Sequence, residues 1–261
     1  MRRRVVLIST VVVGGLAAAL IVVGIGEIRQ NADRMKCRTN LKMLGLGLIN
    51  FHDTNGSFPT ATVRNPDLAP ERRLSWLFEI DPFVHARMDP TWSQHQHEAW
   101  DSEGNLRLQG GRMPWYECPR RTEKSREDGL GFASYVGATG VGFDAATLPK
   151  SDARAGVFGY DRRTAQREIT DGTSTTIMVI ETDVDTGPWV AGGAPTVRGL
   201  DSGTQPYLGR HRPFGGMHRD GAMAVMADGS VHFIRESISP QILEALFTIA
   251  RGDDHDSPWN D

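Results

Sequence analysis

Hydrophobic positions are distributed unevenly along the chain. Val5 to Gly26 is a run of 22 residues without a charge, built mostly of Val, Leu, Ile and Ala. In a helix, that run spans about 33 Å at 1.5 Å per residue, enough to cross a bilayer core. The spacing then changes. Cys37, Leu41, Leu44, Leu48 and Phe51 recur at steps of 4, 3, 4 and 3, which draws one apolar stripe along a helical face. Arg38, Thr39, Asn40 and Lys42 lie mostly off it. Asn55-Gly56 ends the helix, and Pro59 prevents its return. The pattern predicts one long helix, membrane-embedded in its first half and amphipathic in its second. The second half needs a sheet to pack on.

From about Thr60 to Arg126 the pattern is irregular. Leu74 to Phe78 and Pro82 to Val84 are apolar, and Trp92, Trp100, Trp115 and Tyr116 add large aromatic area. These predict a secondary core under long loops. Ser134 to Gly137 reads as a short strand. Thr175 to Glu181 reads as a central strand, β-branched and nearly continuous in apolar character, after a turn at Asp171-Gly172. Residues 183–216 are rich in Gly and Pro and predict a long surface excursion. Ala222 to Ala227 and Ser230 to Ile234 flank Asp228-Gly229, which predicts a hairpin with a two-residue turn. That register would put Ala224, Met226, Val231 and Phe233 on one face and Met223, Val225, His232 and Ile234 on the other. Ser239-Pro240 starts a last helix as N-cap and first residue. Leu243, Leu246, Phe247 and Ala250 would form its apolar face, and Gly252 its end.

Charge and composition narrow the function classes. The 261 residues carry 29 basic and 32 acidic side chains, a formal charge of −3, which argues against electrostatic nucleic-acid binding. Mean hydropathy is −0.35, so the chain after Gly26 is polar and a multi-span membrane protein does not fit. The competing reading of the first run is a cleaved secretory signal, but the run exceeds a usual signal core and lacks a clear small-x-small site. An uncleaved signal anchor is preferred. Three arginines precede the run and Arg29, Arg34, Lys36, Arg38 and Lys42 follow it, so counting basic residues does not fix the orientation. Large C-terminal domains translocate regardless of charge, and the body is placed outside the cytoplasm. Cys37 and Cys118 are the only cysteines. By arithmetic alone they are as well read as two separate buried thiols. Behind an export anchor a disulfide becomes the better reading, closing a loop worth about 4 kcal/mol at most.

Candidate chemistry is sparse. His218 and Asp228 could form a catalytic or metal pair, but Asp228 sits where a turn favours Asp for backbone reasons, and a structural role is preferred. His95 and His97, with His85, read as a polar loop, because no carboxylate or cysteine has a recognised ligand spacing with them. His52-Asp53 reads as a helix C-terminal cap. Ser174 lacks the glycine context of a nucleophile elbow. No catalytic, cofactor-binding or metal residue is assigned.

The order of short motifs carries more. Cys37-Arg38-Thr39-Asn40-Leu41-Lys42 and Asn50 to Pro59 come first. They are followed by Ala99-Trp100-Asp101-Ser102, Glu117-Cys118-Pro119, Ser134-Tyr135-Val136-Gly137 and Ile169 to Ser174. Gly216-Met217-His218 and Met226-Ala227-Asp228-Gly229 close the series with a His-x9-Asp-Gly spacing. Across about Cys37 to Gly252 the chain resembles the bacterial domain-of-unknown-function family 1559, whose N-terminus is like that of type IV pilins and type II secretion pseudopilins. The resemblance implies an α+β, pilin-like fold: a long N-terminal helix on an antiparallel sheet, with long loops and a short C-terminal helix. It implies residues 1–4 as a cytoplasmic tail, 5–26 as a transmembrane anchor, 27–54 as an amphipathic continuation and 55–261 as an exoplasmic head. It supports a Cys37–Cys118 disulfide, and makes His52, Asp53, Gly56, Pro59, His218, Asp228 and Gly229 structural motif residues. The implied protein sits in the inner membrane facing the periplasm. It has unidentified envelope protein partners, no nucleic acid, no cofactor and no established enzymatic activity. One departure matters. The family's prepilin-peptidase pattern, with its glycine and glutamate, is absent from Arg4 to Ser9, and no acid precedes Glu27. An acid inside the bilayer is costly unless paired, so its absence points to a relative that does not polymerise. The second reading is an extracytoplasmic ligand- or metal-binding module, with its site near His218 and Asp228 and the 183–216 excursion.

Overall fold

The structure, a computed structural model, describes residues 2–85, 93–109, 113–121 and 129–252, with side chains from residue 24 onward. Helix α1 runs Arg2–Asn55 as one element. Its described stripe behaves as the spacing requires: Cys37, Leu41, Leu44 and Leu48 are fully buried and Phe51 nearly so. The four residues after Cys37 contribute roughly 1.5–3 kcal/mol each by leaving water. Gly56, at φ +74°, donates its N–H to the His52 carbonyl at 2.7 Å and ends α1 as the Asn-Gly signal predicts. His52 is held there as well, accepting the Gln166 N–H at 3.1 Å and lying 3.5 Å from the Asp53 carboxylate.

Five strands form one sheet in the order β3-β1-β2-β4-β5: β1 Tyr135–Val141, β2 Ile177–Glu181, β3 Val197–Leu200, β4 Gly221–Met226 and β5 Val231–Arg235. β2 lies at the centre, as its apolar run predicts. The sheet is mixed rather than antiparallel, because β3 pairs parallel to β1. The 183–216 segment is therefore no surface excursion. It crosses over, buries Trp189, Val190 and Phe214, and adds an edge strand. One face of the sheet takes α1 and a short helix α2, Trp76–His85, which forms within the stretch expected to be irregular. Trp92 lies outside the described residues. The other face takes loops and the last helix, α3 in Glu103–Gln109 being followed by α4 in Pro240–Leu246. Ser239 caps α4 as expected, its hydroxyl accepting the Ile242 N–H at 3.2 Å. The helix ends six residues before Gly252, so Ala250 is not part of it.

The β4–β5 register differs from the expected one by one residue. Val225 pairs with Val231 and Met223 with Phe233. The loop holds three residues, Ala227 to Gly229: Met226 donates to the Ser230 carbonyl, and Gly229, at φ +80°, donates back to Met226. This is a type I turn closed by a left-handed glycine, the commonest three-residue alternative to a two-residue turn. The slip exchanges the faces of β5, so Val231 and Phe233 join Met223 and Val225 under α1.

Among the described residues no helix is long and apolar enough to cross a membrane. Nearly all of the charge-free run, residues 5–23, lies outside the described side chains.

The approach of α1 rests on two glycines. A Cβ on Gly47 would lie 2.5 Å from Val84 Cγ2 of α2, and one on Gly45 would lie 3.0 Å from Val225 of β4. Gly47→Val should destabilise the head by about 1–3 kcal/mol, the usual range for overpacking. Gly26→Ala, where a Cβ meets nothing within 4 Å, should be neutral or slightly stabilising. Thermal unfolding of the two variants compares them directly. Burial pushes the Glu79 carboxyl of α2 up to about 7 against the opposing pull of Arg163, and its Oε2 is buried without a partner. The raised value makes this group's contribution complete below its ordinary pKa and lost as pH rises through 7. Glu79→Gln should therefore flatten the decline in unfolding temperature between about pH 4.5 and 7.

Candidate metal centre

Four buried side chains converge where α1 meets the end of the sheet. Cys37 comes from the start of the α1 stripe and Cys118 from a turn in which Arg121 donates to the Cys118 carbonyl at 3.0 Å. Glu181 is the last residue of β2, and His218 lies just before β4, where it forms an isolated bridge with Gly221. Cys37, Cys118 and Glu181 are fully buried and His218 is 6% exposed. One ligand atom from each, the two Sγ, a Glu181 oxygen and a His218 ring nitrogen, lies within 4.8 Å of every other.

The fold explains the meeting. Glu181 and Tyr135 are paired across β1 and β2, so the carboxylate and the Tyr135 phenol share the sheet end nearest α1. Gly215 donates to the Glu181 carbonyl at 2.7 Å, which ties the His218 loop to β2. Gly215 and Gly216 both take positive φ, and a Cβ on Gly216 would stand 2.3 Å from Asp183 Oδ1, so this loop needs glycine to pass.

Glu181 Oε2 accepts the Met223 N–H at 2.8 Å, while Oε1 is buried and accepts no hydrogen bond. Oε1 lies 3.3 Å from His218 Nε2, which in turn is 3.6 Å from Cys118 Sγ. The hydrogen bond from Cys37 brings the Cys118 thiol down to about 7, with help from His218 against the opposing effect of burial. Sharing that hydrogen bond and being buried push the Cys37 thiol up. Burial alone would lower the His218 imidazole, but Cys118 and Glu181 outweigh it and raise it to about 9. Two sulfurs, one imidazole nitrogen and one carboxylate oxygen are a zinc-type donor set. Tetrahedral ligation, at about 2.3 Å to sulfur and about 2.0–2.1 Å to nitrogen and oxygen, sets edges of about 3.5 Å for S···N and about 3.3 Å for N···O. The observed 3.6 and 3.3 Å are compatible with these two edges, and the other ligand pairs lie within 4.8 Å. A supporting layer is present too. The Tyr135 hydroxyl bonds the Cys37 thiol, and Asn40 reaches that hydroxyl at 3.4 Å while donating to the Pro114 and Glu117 carbonyls.

The expected pairings change accordingly. Cys37 and Cys118 do meet, as the resemblance implies, and stand as buried thiols beside His218 and Glu181. Four side chains that could serve as metal ligands share one pocket, and the sequence reading assigned none of them that role. His218 and Asp228 are not partners. Asp228 accepts the Ser230 N–H at 2.8 Å in the β4–β5 turn, whereas His218 stands before the opposite end of β4. The His-x9-Asp-Gly spacing thus spans one strand and its turn. His85 pairs with Asp81 at 2.9 Å and His95 with Glu98 at 2.6 Å, and neither belongs to a metal-type group among the described residues. Sequence reasoning missed Glu181. Its signal was a lone carboxylate closing an apolar strand.

A model of the family described as "Protein of unknown function (DUF1559)" matches residues 26–194 and 188–241, and the chain belongs to that family. No curated protein and no solved structure matches it significantly.

Separating His218 from Asp228 has a direct check. Asp228→Ala should cost about 1 kcal/mol through the lost turn bond and leave the thiols unchanged in reactivity. His218→Ala should speed their reaction with a maleimide by opening the pocket. Equal effects of the two substitutions on thiol reactivity would contradict the assignment.

Proposed function

We propose that this chain is a structural protein of the cell envelope, whose exported head is fastened to its stem helix by a bound zinc ion. The observation that supports it best is the convergence of two thiols, an imidazole and a carboxylate, all buried, with one ligand atom of each within 4.8 Å of every other. All four positions are taken by protein, which is the pattern of a closed structural site rather than a catalytic one with a free position. A divalent cation would balance two thiolates and the Glu181 carboxylate to within one charge, with His218 neutral. The remaining parts of the proposal rest on the sequence: residues 5–26 as a single-pass anchor, the head on the extracytoplasmic side, and a stem that does not enter a filament. Envelope proteins are the partners this plan calls for.

The full chain, purified in detergent without reductant, should carry about one zinc per chain by elemental analysis. Cobalt exchange should produce a thiolate-to-metal charge-transfer band in the near ultraviolet. Cys118→Ser and Glu181→Gln should each lower metal affinity, and chelation should lower the unfolding temperature of the parent protein. A chain lacking metal whose mass rises by about 2 Da on reduction would overturn the zinc reading in favour of a disulfide. The topology is tested separately. Protease added to intact spheroplasts should degrade the head, and full protection would refute its export.

A further inference from the structure

A cleft of about 630 Å³ lies beside the metal centre, bounded by α1, the Cys118 turn and the loop carrying His218. Its volume falls within the range of small-molecule sites and far exceeds what a lone inorganic anion fills. Five arginines line it, Arg34, Arg120, Arg121, Arg210 and Arg219, against three carboxylates. Three of the five are already engaged. Arg34 donates to the Arg219 carbonyl and lies 4.6 Å above the Phe233 ring, Arg120 donates to the Met217 carbonyl at 2.9 Å, and Arg121 donates to the Ala133 carbonyl and the Thr186 hydroxyl. The Arg210 and Arg219 guanidiniums, from different loops, make no hydrogen bond or ion pair among the described residues, Arg210 acting on Asp183 only at longer range, and both are exposed to the same cleft.

The backbone on both walls is held in an unfavourable conformation. His211 and Asp220 are non-glycine residues at φ +60° and +68°, and both line the cleft. Such conformations persist when the surroundings over-determine them, and they gather at ligand clamps. The three carboxylates, Asp183, Asp220 and Glu236, disfavour a polyanion but are good acceptors for hydroxyl groups.

We infer that the cleft binds a small, hydroxylated anion of the acidic-saccharide class. Arg210 and Arg219 take its carboxylate or phosphate, and the facing carboxylates accept its hydroxyls. Guanidiniums suit this task, since their planar donors meet both oxygens of such a group at once. His218 lines the cleft as well as belonging to the quartet, but Arg210 and Arg219, which carry the inference, do not belong to the quartet.

Calorimetric titration of the metal-loaded full chain tests the inference. Glucuronate and glucose 6-phosphate are the probes, with neutral glucose and inorganic phosphate as controls. One or both probes should bind with a Kd below 1 mM, and each control should bind at least about tenfold more weakly. Arg210→Ala combined with Arg219→Ala should weaken probe binding at least about tenfold while metal content and unfolding temperature stay at parental values. Binding unchanged in the double variant would overturn the site. Probes that fail to bind, or phosphate binding as tightly as either, would overturn the saccharide class. Metal content is read separately, so failure here is distinct from failure of the zinc centre.

Discussion

Everything else in this head depends on how closely α1 lies on the sheet. The stripe from Cys37 to Phe51 has to be covered, and Gly45 and Gly47 remove the side chains that would hold β4 and α2 away. Close approach then brings the Cys37 sulfur within reach of groups on three other segments. Two glycines in a helix interior cost up to about 2 kcal/mol in propensity, which the burial of the stripe exceeds several-fold. Helix propensity has yielded to packing here, and the position of the metal ligands follows from that.

The quartet sets the second constraint. A carboxylate oxygen with no hydrogen-bond donor, buried against two sulfurs, is expensive without a positive partner. A protonated His218 supplies one charge, and a divalent ion supplies two together with four directed bonds. The Tyr135 phenol and the Met223 N–H hold the ligands in place from outside, so the geometry is prepared by the sheet rather than by the ion alone.

What the sequence made legible divides along physical lines. The α1 stripe, its Asn-Gly end, the centre of the sheet and the Ser239 cap are local signals, and all four are present in the structure. The hairpin was legible in its turn residues but not in its register, because Asp-Gly serves both two- and three-residue loops. α2 was hidden by Pro82 inside it. β3 was hidden because Val197 to Leu200 is short, contains Gly199 and gains its order from a parallel partner far along the chain. The buried quartet was least legible. Its four side chains come from four separate segments, so no ligand spacing exists to be read, and Glu181 resembles an ordinary strand end until the fold closes.

The continuity of α1 has a mechanical consequence. A helix running Arg2–Asn55 is about 80 Å long, and its two halves share one unbroken backbone. A load applied at its N-terminal end travels along the axis and arrives first at Asp33 and Arg34, which meet Arg120 and the Arg219 carbonyl, and then at Cys37, the first fully buried residue of the stripe. These polar contacts and the buried quartet at Cys37 come before the hydrophobic stripe along the axis, so they take the load ahead of it.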